Sequence, residues 1–459
     1  MLIIVGQGMS ITHAALPSGS WHWRAVLPSI GLVLLGTTVC LNVWAPALYT
    51  SIMSAIMPGP GAGVEARPFW DTQYLLLKVT CWQRGVNVYV TNPCDLFIDP
   101  MDYSPLWLRM QFLALDRSWA VPIGIGLGTL FCLSFAALVP SARWHDQLVI
   151  GLASFSPVSV FAVERANMDI IIYLISLLTG IALANPGSVR FAGYGLLLGA
   201  GLLKFYPLVA LVVVVRERLT VCLELVGASL GVIAGFSYWY YDELTAAIGN
   251  IWIGTYFTDL IGSKMLPGGI IRIAALQPIF TLVVGADWGA TGAKSRILGY
   301  GVAFLLILSL CALVVWTARS AERRHSVTAL PPKYGALLQI GAVLMAGCFF
   351  AGVSVGYRGI MLLLALPGLV LLSRPEVSPL LRSLSRFTVI LILLAMFRIP
   401  VTGALAAHNL QVENSALVAL LWVSFELAWW WIVSFLLALL TSSIIESTAW
   451  RETRAFAVR

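Results

Sequence analysis

Charge is what this 459-residue chain has least of. Only 11% of its residues are Asp, Glu, Lys or Arg, against roughly a quarter in soluble domains, while 59% are hydrophobic and the mean hydropathy is +0.89. That scarcity excludes a water-soluble globular chain. The net charge of +7 is spread over short loops and the two ends, which excludes a basic nucleic-acid-binding domain. Histidine is scarcer still, at five residues, and no CxxC pair occurs, so neither a metal site nor a cofactor is expected. Five of the seven cysteines, Cys40, Cys132, Cys222, Cys311 and Cys348, fall in apolar runs, where an inert core role is the default. Repeats, Gly/Ser linkers and low-complexity segments are missing too, so residues 1–459 read as a single integral-membrane domain. The opening residues lack the basic n-region of a cleaved signal, and the span at 25–45 is expected to stay in the protein.

What the chain does have is apolar runs, and about 20 such residues cross a bilayer core. They recur at 25–45, 119–140, 148–163, 169–185, 219–240, 297–317, 334–353, 359–373, 387–405 and 417–442. The run at 191–216 carries Lys204 and Pro207 at its middle, where a charge is costly and a proline removes a backbone bond. Read as two short spans meeting near Lys204, it puts Arg190 and the RER at 216–218 on one face, and the short basic loops then agree on the cytoplasm. The expected fold is an all-α, polytopic transmembrane helical bundle of about 12 spans with both termini cytoplasmic, in a bacterial plasma membrane. In this reading the apolar piece 274–286 does not cross. The second long extracytoplasmic segment, 241–296, is expected to place Trp252, Tyr256, Lys264 and Arg272 on an interfacial helix, although an ordinary aromatic belt looks similar.

Against this apolar background the first extracytoplasmic loop, 46–118, stands out. It holds Asp71, Asp95, Asp99 and Asp102 together with bases, aromatics and prolines, more than a connector needs. Cys81 and Cys94 both lie in it, and an oxidising compartment would allow them to pair. Asp71, in FWDTQYLLLKV, suits either a helix start, complementing the dipole, or a general base at the membrane boundary. For Asp95, Asp99 and Asp102, Asx turns beside the prolines compete with catalytic or ligand roles.

Arg165, Lys204, Arg272 and Arg358 are cations in or beside apolar runs, where function is the default reading and snorkelling to headgroups the alternative. Lys204 and Arg358 together offer what a phosphate leaving group needs. Glu164, Arg165 and Asp169 are also compatible with a mutually paired structural knot.

These residues resemble the GT-C superfamily of integral-membrane glycosyltransferases, and most of all glycosyltransferase family 87, the polyprenol-phosphate-mannose-dependent type. The likeness runs through Asp71, the G-x-N-x-Y of Gly85, Asn87 and Tyr89, and the Y-S-P-L from Tyr103 to Leu106. It continues in E-R-A-N-M-D from Glu164 to Asp169, where R-G-N and an acid are usual, then L-L-K-F-Y-P from Leu202 to Pro207, and finally Tyr357–Arg358 where the family has a later histidine. The resemblance implies transfer of a sugar, mannose or another hexose or pentose, from a polyprenyl-phosphate donor to a hydroxyl of a lipid or glycan acceptor, without a nucleotide sugar. Asp71 would be the base; Lys204, Arg165 and Arg358 would hold the donor phosphate; Tyr89, Asp102, Tyr103, Asn167, Asp169 and Tyr357 would bind substrate. A flippase or transporter of lipid-linked sugars is the competing class, expected to spread its charges through the membrane depth; Arg398, Glu224 and Glu426 are the deep candidates.

Overall fold

In a computed structural model, residues 20–56, 68–95, 98–141, 143–251, 256–257, 260–273, 293–352, 354–407, 412 and 415–457 are described. The expected positions Trp252 and 274–286 lie outside them. The described chain is an all-α bundle whose one sheet is a two-stranded ribbon.

The N-terminal half comprises α1 (Ser20–Trp44), α2 (Pro46–Ile56), α3 (Trp70–Gln83), α4 (Ala120–Leu138), α5 (Trp144–Ser154), α6 (Pro157–Arg165), α7 (Asp169–Leu183), α8 (Val189–Leu203), α9 (Leu219–Trp239) and α10 (Tyr241–Gly249). The ribbon strands are β1 (Leu260–Ile261) and β2 (Ser354–Val355), paired antiparallel with Leu260 opposite Val355. The remaining helices are α11 (Met265–Ile270), α12 (Ala293–Arg319), α13 (Ala321–Thr328), α14 (Pro332–Phe350), α15 (Leu362–Leu372), α16 (Pro379–Met396), α17 (Arg398–Ala407), α18 (Ala416–Ile445) and α19 (Thr448–Ala457).

Among the described residues seven helices are long and apolar enough to cross a membrane, or eight if α5 and α6, bent by 45° at Phe155–Ser156, form one span. Ser156 opens α6 as its N-cap with Pro157 in the first turn, which is why the expected run at 148–163 is broken. Four apolar helical segments are shorter: α7, α8, the 3-10 helix Tyr206–Arg216 and the stretch Gly356–Leu372. The expected span 387–405 is also two pieces, ending at Met396 and resuming at Arg398. In place of a long interfacial helix at 241–296, the described residues form α10, β1 and the six-residue α11.

Lys204 does break its apolar run. α8 ends at Leu203, Lys204 itself is extended (φ −153°, ψ 97°), and Pro207 stands in the first turn of the 3-10 helix. The two arms return on each other: Arg190 Nε lies 3.1 Å from Glu217 Oε1, and the Tyr194 hydroxyl donates to the same carboxylate oxygen at 3.0 Å. A single helix would hold Arg190 and Glu217 about 40 Å apart at 1.5 Å per residue. The segment is therefore a hairpin.

Polar contacts gather at the two ends of the bundle. At one end Arg374 meets Asp146 (2.6 Å), Arg324 meets Glu446 (2.6 Å), and Glu452 accepts the Leu219 amide (2.7 Å) close to the Arg190–Glu217 pair. At the other end the 68–118 loop folds on a core of its own, in which Leu75, Val79, Val88, Met101, Trp107 and Leu108 pack with Met168 and Ala247. Cys81 and Cys94 are disulfide-bonded there, closing a 13-residue separation. Trp107 Nε1 donates to the Leu203 carbonyl at 3.0 Å, and Asn250 Nδ2 donates to the carbonyls of Tyr89 and Met101. The first of these bonds seats the loop on the tip of the Lys204 hairpin, and the other two tie it to the end of α10. Of the remaining cysteines Cys132, Cys222 and Cys348 are buried, but Cys40 and Cys311 are exposed on helix surfaces instead of in the core.

Candidate active site

Asp71 stands in the first turn of α3, and its position is set from the residue before that helix. Phe69 has a left-handed backbone (φ 60°, ψ 34°), its amide donates to the Glu164 carbonyl, and its ring lies on Gly124 of α4. A Cβ at Gly124 would come within 2.3 Å of that ring, so only glycine admits it. Thr72 Oγ1 donates to the Ala166 carbonyl at 2.7 Å, fastening the start of α3 to the turn between α6 and α7.

That turn carries Glu164 to Asp169, and the side chains of Glu164, Arg165 and Asp169 bond to other residues instead of to one another. Arg165 Nη2 binds Asp71 Oδ1 at 2.8 Å, the Asn167 side-chain amide donates to Asp71 Oδ2, and Glu164 instead accepts from the Tyr49 hydroxyl at 2.9 Å. Ala166 closes α6 in the left-handed conformation (φ 43°, ψ 49°) and is fully buried, which accounts physically for a glycine at this place in the R-G-N pattern.

Asp169 opens α7 fully buried, and three groups surround its carboxylate. Tyr206 OH donates to Oδ1 at 2.9 Å, while Lys204 Nζ at 2.9 Å and Arg358 Nε at 3.2 Å share Oδ2. Arg358 Nη1 also donates to Ser354 Oγ at 2.7 Å, and its guanidinium lies 5.4 Å from the centre of the Tyr206 ring. Lys204 lies over the Tyr103 ring at 5.0 Å. Asn167 joins the two carboxylates, because its Oδ1 accepts the Asp169 amide at 2.8 Å.

Seven of the ten expected site residues, Asp71, Tyr103, Arg165, Asn167, Asp169, Lys204 and Arg358, thus fall into one connected group. Asp169 and Asn167 are wholly buried, and their side-chain partners are other residues of the chain. Asp71 keeps part of its carboxylate accessible, with 13% side-chain exposure, and an ionised carboxylate has lone pairs beyond the two in use. Tyr357, 8% exposed, meets the Phe161 ring edge-on. Tyr89 goes elsewhere: it packs edge-on to Trp82 in the loop core. Asp102 is engaged by Lys78 at 3.4 Å. That lysine, fully buried and also bonded to the Pro100 carbonyl at 2.9 Å, was not singled out in the sequence. Its burial inside the loop pulls its pKa below the ordinary lysine value despite the nearby Asp102. Its place amid the YLLLK run of α3 was the only signal available.

No group of three or more His, Cys, Asp or Glu able to hold a metal occurs among the described residues. No protein-family model, curated protein or solved structure matches the chain. The class that the fold itself defines is a multi-pass helical membrane protein.

Proposed function

We propose that this chain is a membrane glycosyltransferase that moves a sugar from a polyprenyl-phosphate donor to an acceptor hydroxyl at the outer face of the membrane. One observation carries the reading: Asn167 ties the partly accessible Asp71 carboxylate to the Asp169–Lys204–Arg358 group. Two cations around one carboxylate leave a single positive charge in excess, sunk among apolar helices where a phosphate is attracted strongly.

In the reaction, Asp71 takes the proton of the acceptor hydroxyl as its oxygen attacks the sugar's anomeric carbon. The bond from that carbon to the phosphate oxygen breaks, and the polyprenyl phosphate leaves with the electron pair. Lys204 and Arg358 stabilise the charge that grows on the leaving oxygens. An apolar groove of about 170 Å³, bounded by α1, α4 and α6 and reaching Phe69 and Glu164, lies beside the site. We take the bent α5–α6 pair and the four shorter apolar segments as one crossing each, a reading of twelve spans with both termini in the cytoplasm of a bacterial plasma membrane.

The competing reading, a flippase or transporter, rests on the buried Arg398–Glu426 pair at 3.0 Å between α17 and α18, since charges within the bundle mark transport pathways. The test is transfer of labelled mannose from polyprenyl-phosphate mannose in reconstituted vesicles, comparing wild type with Asp71→Asn. Transfer by wild type and its loss by roughly 10²–10⁴-fold in the variant, at unchanged membrane insertion, is the expected result. Equal transfer by both would remove Asp71 from the chemistry. Movement of the intact lipid-linked sugar across the vesicle, unaffected by Asp71→Asn, would favour the transporter.

A further inference from the structure

A second groove, of about 420 Å³, opens between α11, α12, the C-terminal end of α14 and the middle of α18. Its rim carries three cations, Lys264, Arg272 and Arg296, and none of them has an acidic partner among the described residues. All three are exposed. Arg272 is nevertheless held in place, with its guanidinium 4.2 Å from the centre of the Tyr256 ring and its Nη1 donating to the Gly268 carbonyl at 2.5 Å.

Below the rim the lining changes character. Ala303, Ile307, Phe350 and Trp430 form its walls. Arg296 is the first residue of the apolar span Arg296–Arg319, so the cations stand at the membrane boundary, and Ile307 lies about 16 Å further along the same helix at 1.5 Å per residue. α12 approaches α11 closely enough that a Cβ on Gly299 would stand 3.1 Å from the Pro267 carbonyl, which keeps rim and walls in one unit. A basic mouth at the headgroup level above an apolar channel is complementary to one kind of molecule, an amphiphile with an anionic head and a long chain.

The geometry points to a binding site for a phosphate-bearing membrane lipid, with its phosphate among Lys264, Arg272 and Arg296 and its chain along Ile307, Phe350 and Trp430. This site is separate from the Asp71 group and does not depend on the transferase reading. It adjoins that group through the ribbon: Ser263, on the groove, is two residues after Ile261, and Ile261 pairs with Ser354, the acceptor of Arg358. An occupied groove therefore buttresses the strand that orients Arg358.

The test is lipid retention by the purified full chain in native mass spectrometry, with phosphatidylglycerol, phosphatidylcholine or inorganic phosphate added. Wild type should keep phosphatidylglycerol, and the combined Lys264→Gln, Arg272→Gln, Arg296→Gln variant should keep at least about tenfold less, since each cation near an anionic surface contributes a several-fold preference. Millimolar inorganic phosphate should displace none of it. Ala303→Trp, which fills the channel and leaves the cations alone, should lose retention to a similar degree. Equal retention by wild type and the triple variant would overturn the proposal, and so would unaltered retention by Ala303→Trp. Displacement by inorganic phosphate would reduce the groove to a site for a free ion. Both variants change exposed or half-exposed positions, and an unaltered melting temperature confirms that each is folded.

Discussion

Asn167 holds Asp71 through its side-chain amide while its own carbonyl oxygen accepts the backbone N–H of Asp169 at 2.8 Å. One buried amide thus fixes the orientation of one carboxylate and the helix start that presents the other. Asn167→Ala should lower kcat for sugar transfer about tenfold or more while changing the donor KM less, because the base is misaligned but Lys204 and Arg358 remain. Steady-state kinetics on the reconstituted protein separate the two parameters. A rise in donor KM alone would assign Asn167 to binding.

Asp169 is the shared counter-ion of two cations, so its removal differs in kind from theirs. Asp169→Asn leaves Lys204 and Arg358 buried beside each other and should destabilise the protein by about 3–5 kcal/mol, as breaking a buried pair does. Lys204→Met should cost less, because Arg358 still answers Asp169. The double variant should recover part of the loss seen in Asp169→Asn. Thermal melts of the four proteins in detergent give the cycle, and strict additivity would mean that the two residues are not coupled.

Ala166 occupies a left-handed position at φ 43°, where a side chain costs about 1–2 kcal/mol relative to the right-handed region. Ala166→Gly should raise the melting temperature modestly, the relief of strain outweighing the greater flexibility of the unfolded chain. A lower melting temperature would show that the methyl group packing in this buried turn matters more than its backbone.

The hairpin at Lys204 predicts topology. In a background without Cys40 and Cys311, cysteines introduced by Ser188→Cys and Arg218→Cys should react with an impermeant maleimide from the same side of the membrane, and one from Thr91→Cys from the opposite side. Labelling of Ser188→Cys and Arg218→Cys from opposite sides would replace the hairpin with a single crossing.

How much of this was legible in the sequence follows from what each residue announces. Lys204 and Pro207 declare a break because charge and a missing N–H are costly inside an apolar run, and α8 does end at Leu203. Phe155–Ser156 and Phe397 announce less, and two expected spans are bent or divided there. Within the candidate site, Asp71, Arg165, Lys204 and Arg358 were visible as charges out of place, but their pairing was not: Arg358 finds Asp169 189 residues away. Lys78 was hidden because a lysine at the edge of a polar loop looks solvated, and only the folded loop shows it enclosed with Asp102 and the Pro100 carbonyl. Tyr89 was misleading for the opposite reason, since its motif spacing says nothing of which core receives the ring.

If both arms of the hairpin cross, as proposed above, their lengths bear on the local thickness of the bilayer. α8 has 15 residues and rises about 22 Å at 1.5 Å each. The returning 3-10 arm has 11 residues and rises about 22 Å at 2.0 Å each. Both fall short of a hydrocarbon core about 30 Å deep. Lipid around a hairpin that crosses would then compress to meet it, a hydrophobic mismatch that thins the bilayer beside the site. A donor phosphate would then start closer to the depth of the buried Lys204, and the protein would draw it a shorter way out of the headgroup layer.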